Sequence, residues 1–409
     1  MGIWVPSPPM RFADCELDVA AFELRRNGEI CPVEPQVFEL LAFLLRNPGR
    51  LITKDELIAE VWGGRIVSDA ALASRIKSAR RAIGDDGERQ RFIRTVHGRG
   101  FRFVSDAEPG NAAEPEARPL GAPLRQKIRF CTASDGVRLG YATVGSGPPL
   151  VKAANWLNHL EFDWESPVWS HLLRELARDN TLVRYDERGN GLSDREPADL
   201  SFDSFVRDLE TVVDASGLER FPLFGVSQGC AVSVAYAVKH PDRVSHLILY
   251  GGYACGRKLW GDPEEAARRE AMDSLILHGW GQDNPAFRQV FTSRFIPDAT
   301  LEQMRWFNEL QRISTSPQMA YRLRQALAVI DVRDQLSRVR APTLVLHCRD
   351  DAAVPFERGR EIAVGIPGAR FVPLEGRNHL ILENEPAFPR FLTEVRSFLA
   401  APQGQFVIS

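Results

Sequence analysis

Apolar positions along this chain follow two rhythms, and the change falls near residue 105. Residues 10–32 alternate apolar and polar positions around an Arg26-Asn27-Gly28 turn, the pattern of a small antiparallel sheet. Glu34-Pro35-Gln36 then opens an amphipathic helix that Asn47-Pro48-Gly49 stops. A second helix starts at Thr53, where Thr53 and Glu56 form a capping-box pattern. Ser68 or Asp69 caps a third, in which Ile76, Ala79 and Ile83 share one buried face. Residues 91–104 alternate around a Gly98-Arg99-Gly100 tip and predict a hairpin.

The rhythm of the second segment is longer. Two alternating runs open at residue 127, and apolar strands follow at 148–155, 180–186, 220–226, 244–252, 341–348 and 369–376. Helical patterns separate most of them, which predicts a mostly parallel sheet covered on both faces. Residues 253–335 form a helical, aromatic-rich insertion, the position of a cap, with Trp260, Trp280, Phe287, Phe291, Phe295, Trp306 and Phe307. Most of these aromatics are expected to pack the cap and some to face a pocket. The expected organisation is a domain at 1–105, a Pro-, Ala- and Glu-rich spacer at 106–126, a domain at 127–402 and a short tail at 403–409.

Composition adds little until it is taken locally. A chain of 409 residues is too long for one typical core, and 44% hydrophobic residues with a net charge of -3 are ordinary for a globular protein. Residues 65–104, however, hold ten Arg or Lys against four acids, a net of +6. The six cysteines are scattered, without a CxxC pair or metal-like histidine spacing, so reduced thiols, no metal and no cofactor are expected. No signal peptide is legible, and the most apolar window, 221–238, is better explained as buried strand plus helix than as a membrane span. A cytoplasmic location without membrane partners is the expectation.

Three helices and a basic hairpin make an α+β winged helix-turn-helix, and residues 10–104 resemble the OmpR/PhoB-type DNA-binding domain of transcriptional regulators. The most specific pieces are LITKDELIAEVW, the third helix with Ile76, Arg80 and Ile83, and the run from Ile93 to Phe103. The resemblance implies a third helix in the major groove and a wing tip in the minor groove of double-stranded DNA. Carried over residue by residue, it turns Arg75, Lys77, Ser78, Arg80 and Arg81 toward the duplex, with Arg94, Thr95, His97 and Arg99 at the wing. Arg75 and Ser78 are the candidates for base edges, and the remaining basic residues for phosphates.

Phe221 to Phe224 meets Gly225-Val226-Ser227-Gln228-Gly229, and a small-residue, helix-like stretch follows. A serine on a very sharp strand-to-helix turn needs small neighbours two positions to either side, because the backbone there folds close upon itself. The turn lifts the hydroxyl above the sheet and aims the first N–H groups of the helix at the same space, where an oxyanion is stabilised. With this elbow at its centre, the second segment resembles the α/β-hydrolase fold with a helical cap. Asp186-Glu187-Arg188-Gly189-Asn190-Gly191-Leu192-Ser193 matches the family's D-x-R-G-x-G-x-S turn. The family's D-x-x-V-P spacing picks Asp351 over Asp350, and its base follows the last strand in Gly376-Arg377-Asn378-His379.

The resemblance implies Ser227 as nucleophile, His379 as the base that later protonates the leaving group, and Asp351 as the group fixing the imidazole tautomer. By position, the backbone N–H groups of Trp156 and Gln228 are the oxyanion donors. The stretch from Ala154 to Glu161 departs from the common His-Gly pattern and resembles the version found in hydrolase domains fused to signalling modules. Asn155 in place of glycine points to a slow enzyme, and His159 to a structural role at the pocket rim.

Two functions follow. One is a one-component transcriptional regulator whose second domain senses, and slowly hydrolyses, a small hydrophobic ester- or lactone-like ligand. The other is a serine hydrolase of esterase or lactonase type with an accessory DNA-binding domain. A binding protein with an inert triad has only the Asn155 departure in its favour. Homodimerisation is expected from the symmetry of DNA half-sites, although no heptad seam is present.

Overall fold

The computed structural model describes residues 9–19, 21–62, 69–85, 90–96, 100–104, 124–261 and 263–400. The chain divides into two compact units, Met1–Pro119 and Leu120–Ser409. That division falls in the expected spacer, most of which lies outside the described residues, as do Ser68, the wing tip at 97–99 and the tail.

In the first unit, β1 (Met10–Phe12), β2 (Cys15–Asp18), β3 (Glu23–Arg26) and β4 (Glu29–Ile30) form an antiparallel sheet in that order. Next come α1 (Pro35–Arg46), β5 (Leu51–Ile52), α2 (Lys54–Trp62), α3 (Asp69–Ala82), β6 (Ile93–Val96) and β7 (Gly100–Phe103). Helix α1 carries Pro35 in its first turn, where the missing N–H costs nothing, and buries Val37, Phe38, Leu40, Leu41 and Leu44. Thr53 Oγ1 accepts the Glu56 N–H at 3.2 Å, as the capping pattern requires, while the Glu56 carboxylate accepts from Arg50. Leu51 and Ile52 are not part of that helix. They pair with Arg102 and Phe101 of β7, and a strand of two residues is too short for periodicity to reveal. The close approach needs Gly100: at φ 141° it has no Cβ, and one there would meet the Ile52 carbonyl oxygen at 1.9 Å.

The second unit is built on β8 (Lys127–Thr132), β9 (Arg138–Val144), β10 (Pro149–Lys152), α4 (Leu160–Glu165), α5 (Ser170–Asp179), β11 (Thr181–Tyr185), α6 (Phe202–Ala215), β12 (Phe221–Val226), α7 (Gly229–Lys239) and β13 (Val244–Tyr250). Four cap helices follow: α8 (Pro263–Gly279), α9 (Ala286–Phe295), α10 (Leu301–Ser314) and α11 (Pro317–Leu327). The chain then returns through β14 (Thr343–Cys348), α12 (Phe356–Gly365), β15 (Arg370–Leu374) and α13 (Ala387–Ala400). The sheet order is β15-β14-β13-β12-β10-β11-β9-β8. Strands β10 to β15 are mutually parallel, and β8 and β9 close one edge antiparallel.

The fold is the one the resemblance implied. Strand β10 has β11 on one side and β12 on the other, so the chain reverses its direction of travel across the sheet there. Crevices open at the carboxyl ends of strands at such a reversal. Ser227 follows β12 and Trp156 lies shortly after β10, which brings both to that crevice. The apolar window 221–238 is buried as strand and helix, and among the described residues no helix is long and apolar enough to cross a membrane.

Candidate active site and nucleic-acid interface

Ser227 occupies a left-handed backbone conformation, φ 55°, which costs a residue with a side chain about 1–3 kcal/mol. The flanking glycines show why the turn is possible. A Cβ on Gly225 would lie 2.8 Å from the Gly229 carbonyl oxygen, and one on Gly229 would lie 2.6 Å from that of Ala154. The Ser227 N–H donates to the Tyr250 carbonyl at 3.0 Å, tying the elbow to β13.

The three residues expected at the nucleophile are brought together. His379 Nε2 lies 2.9 Å from Ser227 Oγ, and its Nδ1 lies 2.7 Å from Asp351 Oδ2. The other Asp351 oxygen accepts the backbone N–H groups of Ala353 and Val354 at 2.8 and 2.9 Å. Burial works to raise the Asp351 pKa, but the adjoining His379, His347 and these N–H groups hold it below the usual carboxylate value. Asp350 is exposed. The His379 backbone N–H donates to the carbonyl of Phe295, at the end of α9, at 2.8 Å, so the cap helps to place the imidazole. His347, 3.5 Å from Asp351, is a second histidine on this carboxylate, and it sits mid-strand in an apolar run that carries no motif.

The two backbone N–H groups expected to be oxyanion donors are unequal. Gln228 stands at the start of α7, where helix N–H groups converge. The Trp156 N–H instead donates to the side-chain Oε1 of Gln228 at 3.0 Å. Gln228 Nε2 in turn donates to Glu187 Oε1 at 2.9 Å, so a buried chain of three residues ends on the expected donor. Burial raises the Glu187 pKa to about 8, against the donation from Gln228. The neighbouring Asp186 is raised by burial to about 7 while it accepts N–H groups from Leu160 and Leu192 at 3.1 and 2.7 Å. Asn155 is buried and its side chain accepts from Lys152. His159 caps α4 by accepting the Phe162 N–H at 3.4 Å, the structural role expected of it.

Beside Ser227 lies a cavity with an empty volume of about 660 Å³, mouth included. Trp156, Tyr253, Met272, Phe291, Phe295 and Leu327 give it an apolar wall, and Arg257, Arg269, Arg294 and Arg324 line the same space. Phe291 and Phe295 are cap aromatics that face the pocket, as expected, but the arginines were not legible in the sequence: no periodic pattern marks four of them spread over a 68-residue stretch as neighbours in space. Of the cap aromatics, Phe291 and Phe295 reach the cavity, Trp280 stacks on Trp156 at 5.7 Å, Trp306 packs on Phe162 at 4.4 Å, and Phe287 is exposed.

In the first unit, Ile76, Ala79 and Ile83 of and beyond α3 are buried, as their spacing predicts, and Leu72 is buried with them. Lys77 and Arg81 are exposed and Ser78 is half-buried; exposed Ser74, which the sequence reading passed over, shares their face. Arg75 is half-buried and paired with Glu34. Arg80 does not face a duplex. It is 8% exposed and donates from Nε and Nη2 to the Ile93 carbonyl at 3.0 and 2.7 Å and from Nη2 to Thr95 Oγ1 at 2.9 Å. Its helical phase, one position past the buried Ala79, turns it to the hairpin. Thr95 is consequently half-buried rather than presented, whereas Arg94 is exposed. Asp85 completes the latch by accepting the N–H groups of Arg91, Phe92 and Ile93 at 2.7–2.9 Å. His97 and Arg99 lie outside the described residues.

Comparison with known proteins separates the two units. The family described as "Transcriptional regulatory protein, C terminal" matches residues 28–103, and "alpha/beta hydrolase fold" matches residues 163–386. The pyrrolizixenacetamide deacetylase of Xenorhabdus hominickii is 26% identical over 270 residues, covering 64% of this chain and 94% of its own. An esterase from Exiguobacterium antarcticum superposes with a TM-score of 0.56 at 25% identity, covering 66% of this chain and 99% of its own. A hydrolase from Pseudomonas aeruginosa does so at 0.56 and 25%, over 67% and 98%.

Replacing Arg80 with Met strands the Ile93 carbonyl, a loss of about 1–3 kcal/mol. Hydrogen exchange of the 93–96 and 100–103 amides is expected to quicken at least about tenfold in Arg80→Met and to stay unchanged in Arg81→Ala. The reverse order would overturn the reassignment of Arg80. Glu187 gives a pH signature. Between the ordinary glutamate value of 4.5 and about 8, the folded chain keeps a proton that the unfolded chain has lost. Unfolding then releases that proton, and stability falls as pH rises through this window. Urea unfolding at pH 5 to 8 should show a shallower decline in Glu187→Gln, by up to about one proton; equal slopes would refute the assignment.

Proposed function

Because the chain belongs to the α/β-hydrolase fold family and carries ahead of it the C-terminal domain of transcriptional regulatory proteins, we propose that it is a DNA-binding regulator whose hydrolase unit receives, and slowly hydrolyses, a small acyl compound. The observation carrying this reading is the coexistence of a complete Ser227–His379–Asp351 relay with a Trp156 N–H already bonded to Gln228. The relay supplies chemistry. The occupied donor withholds transition-state stabilisation worth about 3 kcal/mol until Gln228 moves.

In this mechanism Ser227 Oγ attacks the acyl carbon while His379 Nε2 takes its proton. Asp351 keeps the Nδ1–H tautomer and stabilises the imidazolium. The oxyanion is met by the Gln228 N–H and, after its side chain swings aside, by that of Trp156. His379 then protonates the leaving oxygen, and water releases the acyl group by the same steps in reverse. A receptor benefits from slowness, since one that destroys its signal quickly cannot report it. Occupancy acts on DNA only through differential affinity for two arrangements of the regulator, which we propose to be a homodimer. Lys77 and Arg81 hold phosphates, and Arg75 and Ser78 approach base edges.

The alternative reading is a serine hydrolase of esterase type with an accessory DNA-binding domain. The short contacts within the relay and relatives named esterase and deacetylase favour it.

A fluorophosphonate probe is expected to label wild-type protein and not Ser227→Ala, and ester turnover to fall at least about a thousandfold in that variant. The regulator reading further expects Ser227→Ala to keep ligand-dependent binding to its own upstream DNA. Binding indifferent to every acyl ligand, beside rapid turnover, would hand the decision to the alternative. Gln228→Ala should be labelled several-fold faster than wild type, because the Trp156 N–H is released; slower labelling would show instead that the side chain holds the hole in shape.

A further inference from the structure

The cavity beside Ser227 collects cations. Arg257, Arg269, Arg294 and Arg324 line it, and among the described residues no aspartate or glutamate does. These are not four loose surface charges. Asp273 accepts Arg324 Nε at 2.8 Å and Gln325 Nε2 at 2.6 Å, and the Arg324 guanidinium lies 5.7 Å from the centre of the Phe291 ring. Arg257 donates to the carbonyl of Ala353, next but one to Asp351, and lies 4.8 Å from the Trp260 ring. Arg269 on α8 is half-buried and forms no ion pair with a described residue. Arg324 already has Asp273 as its counter-ion, which leaves Arg269, on the same wall as Trp156, Phe291 and Phe295, as a guanidinium able to give a planar anion paired N–H donors.

We propose that the acyl compound bears a carboxylate, which Arg269 and the neighbouring arginines of the cap receive while Ser227 attacks an ester or lactone carbonyl elsewhere in the same molecule. This rests on the reading of the site as a serine hydrolase and makes its substrate class narrower: an acidic ester or lactone in place of a neutral hydrophobic one. Hydrolysis of such a compound balances in the ordinary way. The acyl–oxygen bond breaks, the hydroxyl of water goes to the acyl carbon and its proton to the leaving oxygen.

The test uses p-nitrophenyl esters of equal chain length ending in a carboxylate, a methyl group or a trimethylammonium. Wild-type full-length protein should prefer the carboxylate ester over the methyl ester by at least about tenfold in kcat/KM, and the cationic ester least. Arg269→Gln should cut that preference to below about threefold, and Arg269→Glu should invert it. Arg268→Gln, an exposed neighbour on α8 paired with Glu264, removes the same charge and should keep the preference. Equal kcat/KM for the three esters, or a preference untouched by Arg269→Glu in protein with wild-type thermal stability, overturns the inference while active-site labelling leaves the hydrolase reading standing. If the fluorophosphonate fails to label Ser227, that reading falls, and thermal shift decides the anion alone. Stabilisation by glutarate but not by glutaramide, lost in Arg269→Glu, supports it, and equal or absent shifts overturn it.

Discussion

The site depends on a backbone that passes too close to itself for any side chain but hydrogen at two places. Ser227 holds a left-handed conformation only because Gly225 and Gly229 let the strand end, the helix start and the Ala154 carbonyl meet within contact distance. That crowding does more than lift a hydroxyl. It fixes the loop after β10 against the start of α7, so the Ser227 hydroxyl, helix N-terminus and Trp156 share one rigid frame. The strain at Ser227 is offset by the sheet beneath it, through the N–H bond to Tyr250 and the largely buried strands on either side.

Beneath this frame lies an ionisable layer that an apolar core would not need. Lys152, Asp163, Arg184, Asp186 and Glu187 are all nearly inaccessible. Burial drives the lysine down and the carboxyls up, so these groups hold one another by shared protons and hydrogen bonds as much as by full charges. Replacing such a cluster with hydrocarbon is often neutral or stabilising, which makes stability a weak explanation for it. Its geometry offers a better one: Asp186 pins the loop after β10 through Asn158 and Leu160, and Glu187 sets the angle of the Gln228 amide.

Much of this was legible in the sequence, and the division is physical. Ser227, Asp351 and His379 stand at strand ends with local spacing constraints, so short motifs mark them. The sheet was legible because buried parallel strands are continuous apolar runs. What escaped depends on side-chain direction in three dimensions. Gln228 was read for its backbone N–H, while its side chain turned back on the partner donor. Arg80 was read as a basic residue on a basic helix, yet its phase relative to Ala79 sends it inward to the hairpin. The arginines of the cavity come from four separate places in the cap region and carry no pattern at all. Strand β5 exists only because β7 arrives to pair with it.

The bond from the His379 N–H to the Phe295 carbonyl has a consequence for how such a protein can diversify. Caps in a two-layer enzyme are usually treated as interchangeable lids over a fixed engine. Here the last residue of α9 is also a bearing on which His379 rests, and its ring lies 5.4 Å from the imidazole. A lineage acquiring a new specificity by rebuilding the cap must therefore conserve the path of the chain at this one point. Side chains there are free to drift, but a shift of that carbonyl by the length of a bond would detune the engine along with the lid.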